Sequence, residues 1–548
     1  MKRGLMKDHQ LEFSTHRSPV VGRQGAVAAS QPLAVACGLE VLRKGGNAID
    51  AAVATAAGLN VTEPGSTGLG GDAFCLIYDA KTKQVFAMNA SGHSAASLSL
   101  ERLAKEGIAR LPDRHPYNVT APGACAGWCD AVEKYGKLSM AQVLEPAIRL
   151  AEEGFPVAPL TAHSWQVAAK NILAHSHNGL EMTINGRGPK AGEIFRNPGL
   201  AKTMRIISEG GRKAFYEGQP ADAIVSSLAE AGGLLTHADL AAHATSWVDP
   251  ISIDYHGIRV WECPPNGQGI AALMALNIMK GFDLQPLDAL SPERLHLMIE
   301  AMRLAFADAR RYVTDPELVH VPVEALLSDS YSDQRRAMID PLKASACFGY
   351  GDPNYKSDTV YLSAADAEGN ACSFINSTYM GFGSGIVPKG FGFSLQNRGA
   401  NFNLDPEHPN ALAPGKRPYH TIIPAMATYT DSGDLYASYG VMGGFMQPQG
   451  HMQVTIGMVD DQLDPQAALD RPRFCIQPNN PQGLIQLEEG IPVKTMAALA
   501  EKGHPVVPVS GYARATFGRG QIIWRDPENG VFWAGSDPRA DGCAMTLV

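Results

Sequence analysis

A threonine at the first residue of a strand can supply both a nucleophile and the base that activates it. Thr359 stands in Ser357-Asp358-Thr359-Val360-Tyr361-Leu362-Ser363, where a polar connector gives way to a β-alternating segment. Cleaving the bond between Asp358 and Thr359 frees an α-amine on Thr359 itself. That amine, with a pKa of about 8, can act as general base for the hydroxyl of the same residue. The segment turns at Asp366-Ala367-Glu368-Gly369-Asn370 and returns through Ala371-Cys372-Ser373-Phe374-Ile375-Asn376-Ser377. A turn centred on Glu368 sets Ser377 opposite Thr359, with the Gly-rich Gly381-Phe382-Gly383-Ser384-Gly385 just beyond. Taken alone, the segment reads equally as an ordinary hairpin with Thr at a β-favourable position.

The elements that must hold such a hairpin are legible on both sides of it. Leu33 to Leu59 is Ala-rich with helical spacing, broken at Gly45-Gly46 before Asn47 starts a second helix. Phe74 to Met88 has the alternation of a hairpin, and residues from about 98 to 245 read mainly as helix. Pro292 to Tyr312 is a long amphipathic helix, apolar at Leu295, Ile299, Met302 and Phe306. Residues 313–358, rich in Asp, Ser and Pro with little periodicity, suit a mobile connector and a cut. Strands dominate after Thr359, with more expected over Thr421–Thr430 and Gln521–Trp533. Helices flanking central strands in both halves predict an α/β fold of stacked layers, α-β-β-α.

Composition narrows the function classes. A net charge of -9 with no basic cluster argues against nucleic acid and against an anionic membrane surface. Met1 to Val20 carries no apolar run, so no secretory signal or membrane helix is expected there. Nine cysteines without paired spacing suit a reduced compartment, and the expected address is cytoplasmic. Cys125 with Cys129, and His175 with His177, complete no metal-ligand set. Gly68-Leu69-Gly70-Gly71-Asp72-Ala73 lacks the strand-then-helix setting of a dinucleotide loop. Neither a metal nor an organic cofactor is expected.

The order of motifs along the chain resembles the γ-glutamyltransferase family. The resemblance rests on Gly45-Gly46-Asn47-Ala48, Glu63-Pro64, Gly68-Leu69-Gly70-Gly71, Val119-Thr120-Ala121-Pro122-Gly123 and Pro264-Pro265-Asn266-Gly267-Gln268-Gly269. It continues in Phe382-Gly383-Ser384-Gly385-Ile386-Val387, Lys416-Arg417-Pro418, Gly443-Gly444 and Gly535-Ser536-Asp537-Pro538-Arg539, covering nearly the whole chain. The resemblance implies an N-terminal nucleophile hydrolase made as one chain and self-cleaved between Asp358 and Thr359. The products would be a large subunit, 1–358, and a small one, 359–548, paired as a heterodimer that can itself dimerise. Thr359 is then the nucleophile, and Ser377 supports it in place of the family's threonine. Gly443 and Gly444 form the oxyanion hole, although Gly-Gly by itself more often marks a tight turn.

At the substrate-binding positions the chain departs from the transferase pattern. Ser91 stands where γ-glutamyl enzymes carry an arginine for the glutamate α-carboxylate, two residues before His93. Arg398 and Asn401 replace the two acids that clamp the α-ammonium, and His420-Thr421 replaces a Ser-Ser pair. Both acids are gone and one has become a cation, which suits a carboxylate beside the scissile amide and no ammonium. For Arg398 a structural ion pair remains open, and for His93 and His420 a satisfied, half-buried histidine does.

The variant motifs resemble the divergent branch that includes oxamate amidohydrolases of purine breakdown. They predict hydrolysis of a small carboxylate-bearing amide, with oxamate giving oxalate and ammonia. A γ-glutamyl or glutathione hydrolase, and a non-catalytic binding protein of the same fold, stand as alternatives. On this reading Arg398→Ala raises KM and leaves self-cleavage intact.

Overall fold

The computed structural model describes residues 17–345, 358–477 and 483–548. Two seven-stranded antiparallel sheets lie face to face. The first runs in the order Cys543–Leu547, Gly25–Ala29, Asp358–Asp366, Ala371–Tyr379, Asp72–Asp79, Gln84–Ala90, Ser246–Val248. The second runs Val20–Gly22, Phe532–Ser536, Arg519–Arg525, Leu435–Met442, Ala425–Tyr429, Ile258–Glu262, Ile251–Tyr255.

Three apolar cores make the layers. Between the sheets pack Ala28, Phe74, Leu76, Tyr361, Ile375, Met426 and Ile523. Outside the first sheet, helices Pro32–Arg43, Ala48–Thr62, Ala124–Tyr135 and Met140–Glu153 bury Val35, Val53, Trp128 and Leu144 against Val360, Leu362 and Phe374. Outside the second, helices Gly269–Met279, Pro292–Tyr312 and Met446–Val459 cover Val260, Ala427 and Val441. This is the α-β-β-α sandwich expected from the pattern, because strands buried on both faces need a helix layer on each outer side. No helix among the described residues is long and apolar enough to cross a membrane.

Local signals place the first helices as the sequence requires. Asn47 caps Ala48–Thr62, accepting from the N–H groups of Ile49 and Asp50, while Asp50 returns a bond to the Asn47 N–H. All fifteen residues of that helix are buried, which its small side chains permit directly behind the strand Asp358–Asp366.

The connector departs from expectation in its first part. Residues 323–326 and 329–336 are short helices, and Ser328 caps the second. Thr314 donates to the Pro409 carbonyl, Arg417 pairs with Glu317, and Ala344 N–H donates to Lys502 O. These are tertiary bonds with no periodic signature, so the stretch through Ser345 is anchored although it reads as loop. Residues 346–357, the rest of the expected connector, lie outside the described residues.

Candidate active site

Thr359 occupies a break in an otherwise regular hairpin. Pairing is one-to-one from Val360↔Asn376 to Ala365↔Ala371 and then shifts, so that Asp358 meets Tyr379. There the return strand carries the extra residue, Ser377 and Thr378 standing against Thr359, and the ladder behind stays regular. Thr359 Oγ1 lies 3.1 Å from Ser377 Oγ, and both residues are completely buried. The facing pair predicted from the turn is therefore present, although a bulge makes the contact.

Ser377 is held from two further sides. Tyr379 N–H and Arg398 Nη2 both donate to its hydroxyl oxygen, at 2.8 and 3.2 Å. With those donors on its oxygen, the Ser377 proton is available to an oxygen acceptor. Tyr379 has a left-handed backbone, φ 80°, which turns the chain so that its ring lies under the Arg398 guanidinium, 4.3 Å from centroid to Cζ. The Tyr379 hydroxyl donates to Asn401 Oδ1 at 2.6 Å, and Asn401 Nδ2 donates to the Tyr419 carbonyl.

Arg398 is the charge of the site. It is fully buried, its Nη1 donates to Thr421 Oγ1 at 2.7 Å, and its Nε has no hydrogen-bond partner. Among the described residues no carboxylate bonds to it directly; the nearest counter-charge acting on it is Asp72. Burial lowers its pKa to about 10, opposed by the nearby Asp72 and Tyr379, so it remains protonated at neutral pH. A buried cation with an unsatisfied donor is costly unless an anion completes it.

Asp72, which the motif reading passed over, supplies the counter-charge one residue-pair away. It sits directly across from Ser377 in the neighbouring strand. Its Oδ2 is 2.9 Å from His420 Nε2, and its Oδ1 accepts from Gln396 Nε2 and the Gly92 and Gly123 N–H groups. Ile422 N–H donates to His420 Nδ1, which puts the ring proton on Nε2. Burial pushes the Asp72 carboxyl up, but the hydrogen bonds from His420 and Gln396 and the Arg398 charge outweigh it and hold the group ionised.

His420 is thus a neutral spacer between anion and cation, its pKa lowered to about 4 by burial and by Arg398. His243 and His451, equally buried, are lowered to about 3 for the same first reason. These groups stay unprotonated in the native protein below pH 6.5, where the unfolded chain takes up protons. Stability should therefore fall as pH drops from about 6.5 towards 4, by roughly 3 kcal/mol for His420 alone at the acid end. Urea midpoints measured at pH 7 and pH 5 check this, and equal midpoints would contradict it.

Gly443 and Gly444 precede the helix Met446–Val459, with φ of 136° and 61° that suit glycine alone. Among the described residues neither glycine's N–H donates a hydrogen bond, as expected ahead of a first helical turn. Gln268 fixes them relative to the rest: its Nε2 donates to Gly444 O at 2.9 Å and to Thr421 O at 2.7 Å.

The structure thus gathers Thr359, Ser377, Arg398 and Thr421 by direct contact, Asn401 through Tyr379, His420 through Asp72, and the glycines through Gln268. Ser91 stands apart. Its hydroxyl donates to Asn89 Oδ1 and accepts from Asn266 Nδ2, in a buried network behind Asp72. His93 is half-buried, and its pKa is lowered by burial and by Arg417. Neither Ser91 nor His93 touches Arg398. Gln268 lies inside a quoted motif and Tyr379 at the end of the hairpin's second strand, and only their contacts reveal them.

Comparison with known proteins agrees with this architecture. Residues 34–547 match the model of the family described as Gamma-glutamyltranspeptidase. The glutathione hydrolase-like YwrD proenzyme of Bacillus subtilis is 37% identical over 532 residues, 96% of this chain and 99% of that one. The oxamate amidohydrolase proenzyme of Klebsiella pneumoniae is 34% identical over 546 residues, 98% of this chain and 99% of that one. Among solved structures, the cephalosporin acylase from Bacillus halodurans superposes with a TM-score of 0.90 at 45% identity, covering 100% of both chains. Alike in sequence and fold over its described length, the chain belongs to the gamma-glutamyltranspeptidase family of self-processing N-terminal nucleophile hydrolases.

Proposed function

We propose that this enzyme hydrolyses the amide of a small acid whose carboxylate lies next to the scissile carbonyl, with oxamate as the substrate. The observation that carries the reading is Arg398: buried, without a carboxylate partner among the described residues, and two hydrogen bonds from the Thr359 hydroxyl. A carboxylate seated there is completed by Nε and by the terminal nitrogens of the guanidinium fork. So short a path fits an acyl group whose carboxylate carbon is bonded directly to the carbonyl carbon.

The reaction follows from the same groups. In the precursor, Thr359 Oγ attacks the Asp358 carbonyl, the C–N bond breaks, and water hydrolyses the resulting ester to give the fragments 1–358 and 359–548. The freed amine of Thr359 then takes the hydroxyl proton as Oγ attacks the substrate amide. The Gly443 and Gly444 N–H groups hold the developing oxyanion, and Ser377 steadies the nucleophile. Ammonia leaves with the proton, and water activated by the amine hydrolyses the threonyl ester.

The test is ammonia release from oxamate by processed protein, with γ-glutamyl-p-nitroanilide as comparator. Oxamate turnover with a silent comparator is expected; turnover of the comparator alone would overturn the reading. The likeness to a cephalosporin acylase favours a second reading, a longer carboxylate-ended acyl chain on the same arginine. Preference for a glutaryl amide over oxamate would select it.

A further inference from the structure

Amide hydrolysis leaves in the site a charge that the substrate did not bring. The C–N bond breaks, ammonia leaves, water supplies an oxygen, and the acyl carbon departs as a carboxylate with release of a proton. On the reading above, the substrate brings one carboxylate to Arg398 and the product carries two. The Thr359 amine holds the released proton first and must shed it to act as base again. One guanidinium then faces two anions.

Asp72 adds a fixed negative charge beside them. It is the cross-strand partner of Ser377, so the two side chains share a face with their backbones about 5 Å apart. The Ser377 hydroxyl in turn touches Thr359 Oγ1, and the Asp72 charge acts on Arg398 through space.

That charge is locked where it sits. Asp72 Oδ1 accepts from the Gly92 and Gly123 N–H groups and from Gln396 Nε2, and Oδ2 accepts from His420 Nε2. A carboxylic acid proton would find only donors around it. His420 offers no compensating cation, because Nδ1, its remaining site for a proton, faces the Ile422 N–H. His243 and His93, the other histidines that feel Asp72, are kept neutral by burial.

We infer that Asp72 is a specificity-determining residue, set to admit a monoanionic substrate and to repel the more highly charged product. This role rests on the carboxylate seated on Arg398, as proposed above. Asp72 and Arg398, both fully buried, cancel at rest. A bound substrate leaves one negative charge uncompensated, and the dicarboxylate product leaves two. A like charge one side chain away weakens binding by about ten-fold or more in a buried site.

The test measures inhibition of oxamate turnover by oxalate, a dianion, and by glycolate, a monoanion of the same length, using processed enzyme near neutral pH. Glycolate should inhibit at about ten-fold lower concentration than oxalate. In Asp72→Asn that ratio should fall to about one, while Asp72→Glu, which keeps the charge, should retain the preference. A role confined to folding or to holding His420 would lower stability and kcat without moving the ratio. The inference is wrong if oxalate binds the wild-type enzyme as tightly as glycolate, an outcome that needs no variant to fold. It is equally wrong if the ratio survives Asp72→Asn. If oxamate is not turned over, calorimetric binding of the same two anions separates the claims. A preference for glycolate that Asp72→Asn abolishes would keep the role of Asp72 and refute only oxamate as substrate; binding of neither anion would refute both.

Discussion

Thr359→Ala should give a single uncut chain on a denaturing gel and no measurable amide turnover. On the mechanism proposed above, the same hydroxyl opens both the Asp358–Thr359 bond and a substrate amide. The Gly443–Gly444 amides, Ser377 and Arg398 remain in the variant, but the roles proposed for them supply no nucleophile. The loss expected in kcat is therefore at least ~10⁴-fold. Folding should survive, because alanine fits the space of a threonine and the ladder from Val360 to Ala365 does not depend on the side chain. Intact mass spectrometry after prolonged incubation is the check. A fragment beginning at residue 359 in the alanine variant would show that something other than this hydroxyl makes the cut.

Arg398→Ala should have the second-largest effect, concentrated in KM. A charge-assisted, two-pronged contact to a carboxylate contributes about 3 kcal/mol, so KM for oxamate should rise roughly 100-fold. The structure alters one expectation made from sequence. Because Arg398 donates to Ser377 at 3.2 Å and to Thr421 at 2.7 Å, removing it also loosens the nucleophile's support, and processing should slow. The variant further leaves Asp72 as a buried carboxylate with no cation nearby, so some stability is lost as well. Oxamide, the uncharged counterpart of oxamate, separates these effects. If Arg398 binds the carboxylate, the oxamate-to-oxamide ratio of kcat/KM collapses in Arg398→Ala and recovers in part in Arg398→Lys. A ratio that stays constant while both rates fall would make Arg398 a structural residue.

The sequence by itself determined the parts that depend on near neighbours. The turn at Glu368 and the period-two pattern around it fix the Thr359 hairpin. Gly45-Gly46 followed by Asn47 ends one helix and caps the next. Alternation and helical spacing in both halves give four layers, and the ordered motifs give the family. Each of these is set within a few residues, where backbone preference and hydrophobic period leave a readable mark.

Only the tertiary structure decided how those parts become a site. Asp72 and His420 meet across 348 residues and Gln268 reaches Gly444 across 176, distances over which no spacing rule operates. Arg398 looked the same in sequence whether it served a surface ion pair or a substrate. What distinguishes the two is burial without a carboxylate partner, a property of every element packed around it. Ser91, aligned with a substrate-binding arginine, is turned instead into a hydrogen-bond network with Asn89 and Asn266. Local order fixes which element a residue belongs to; the chemistry depends on which side chains close packing brings together and which charges it leaves unpaired.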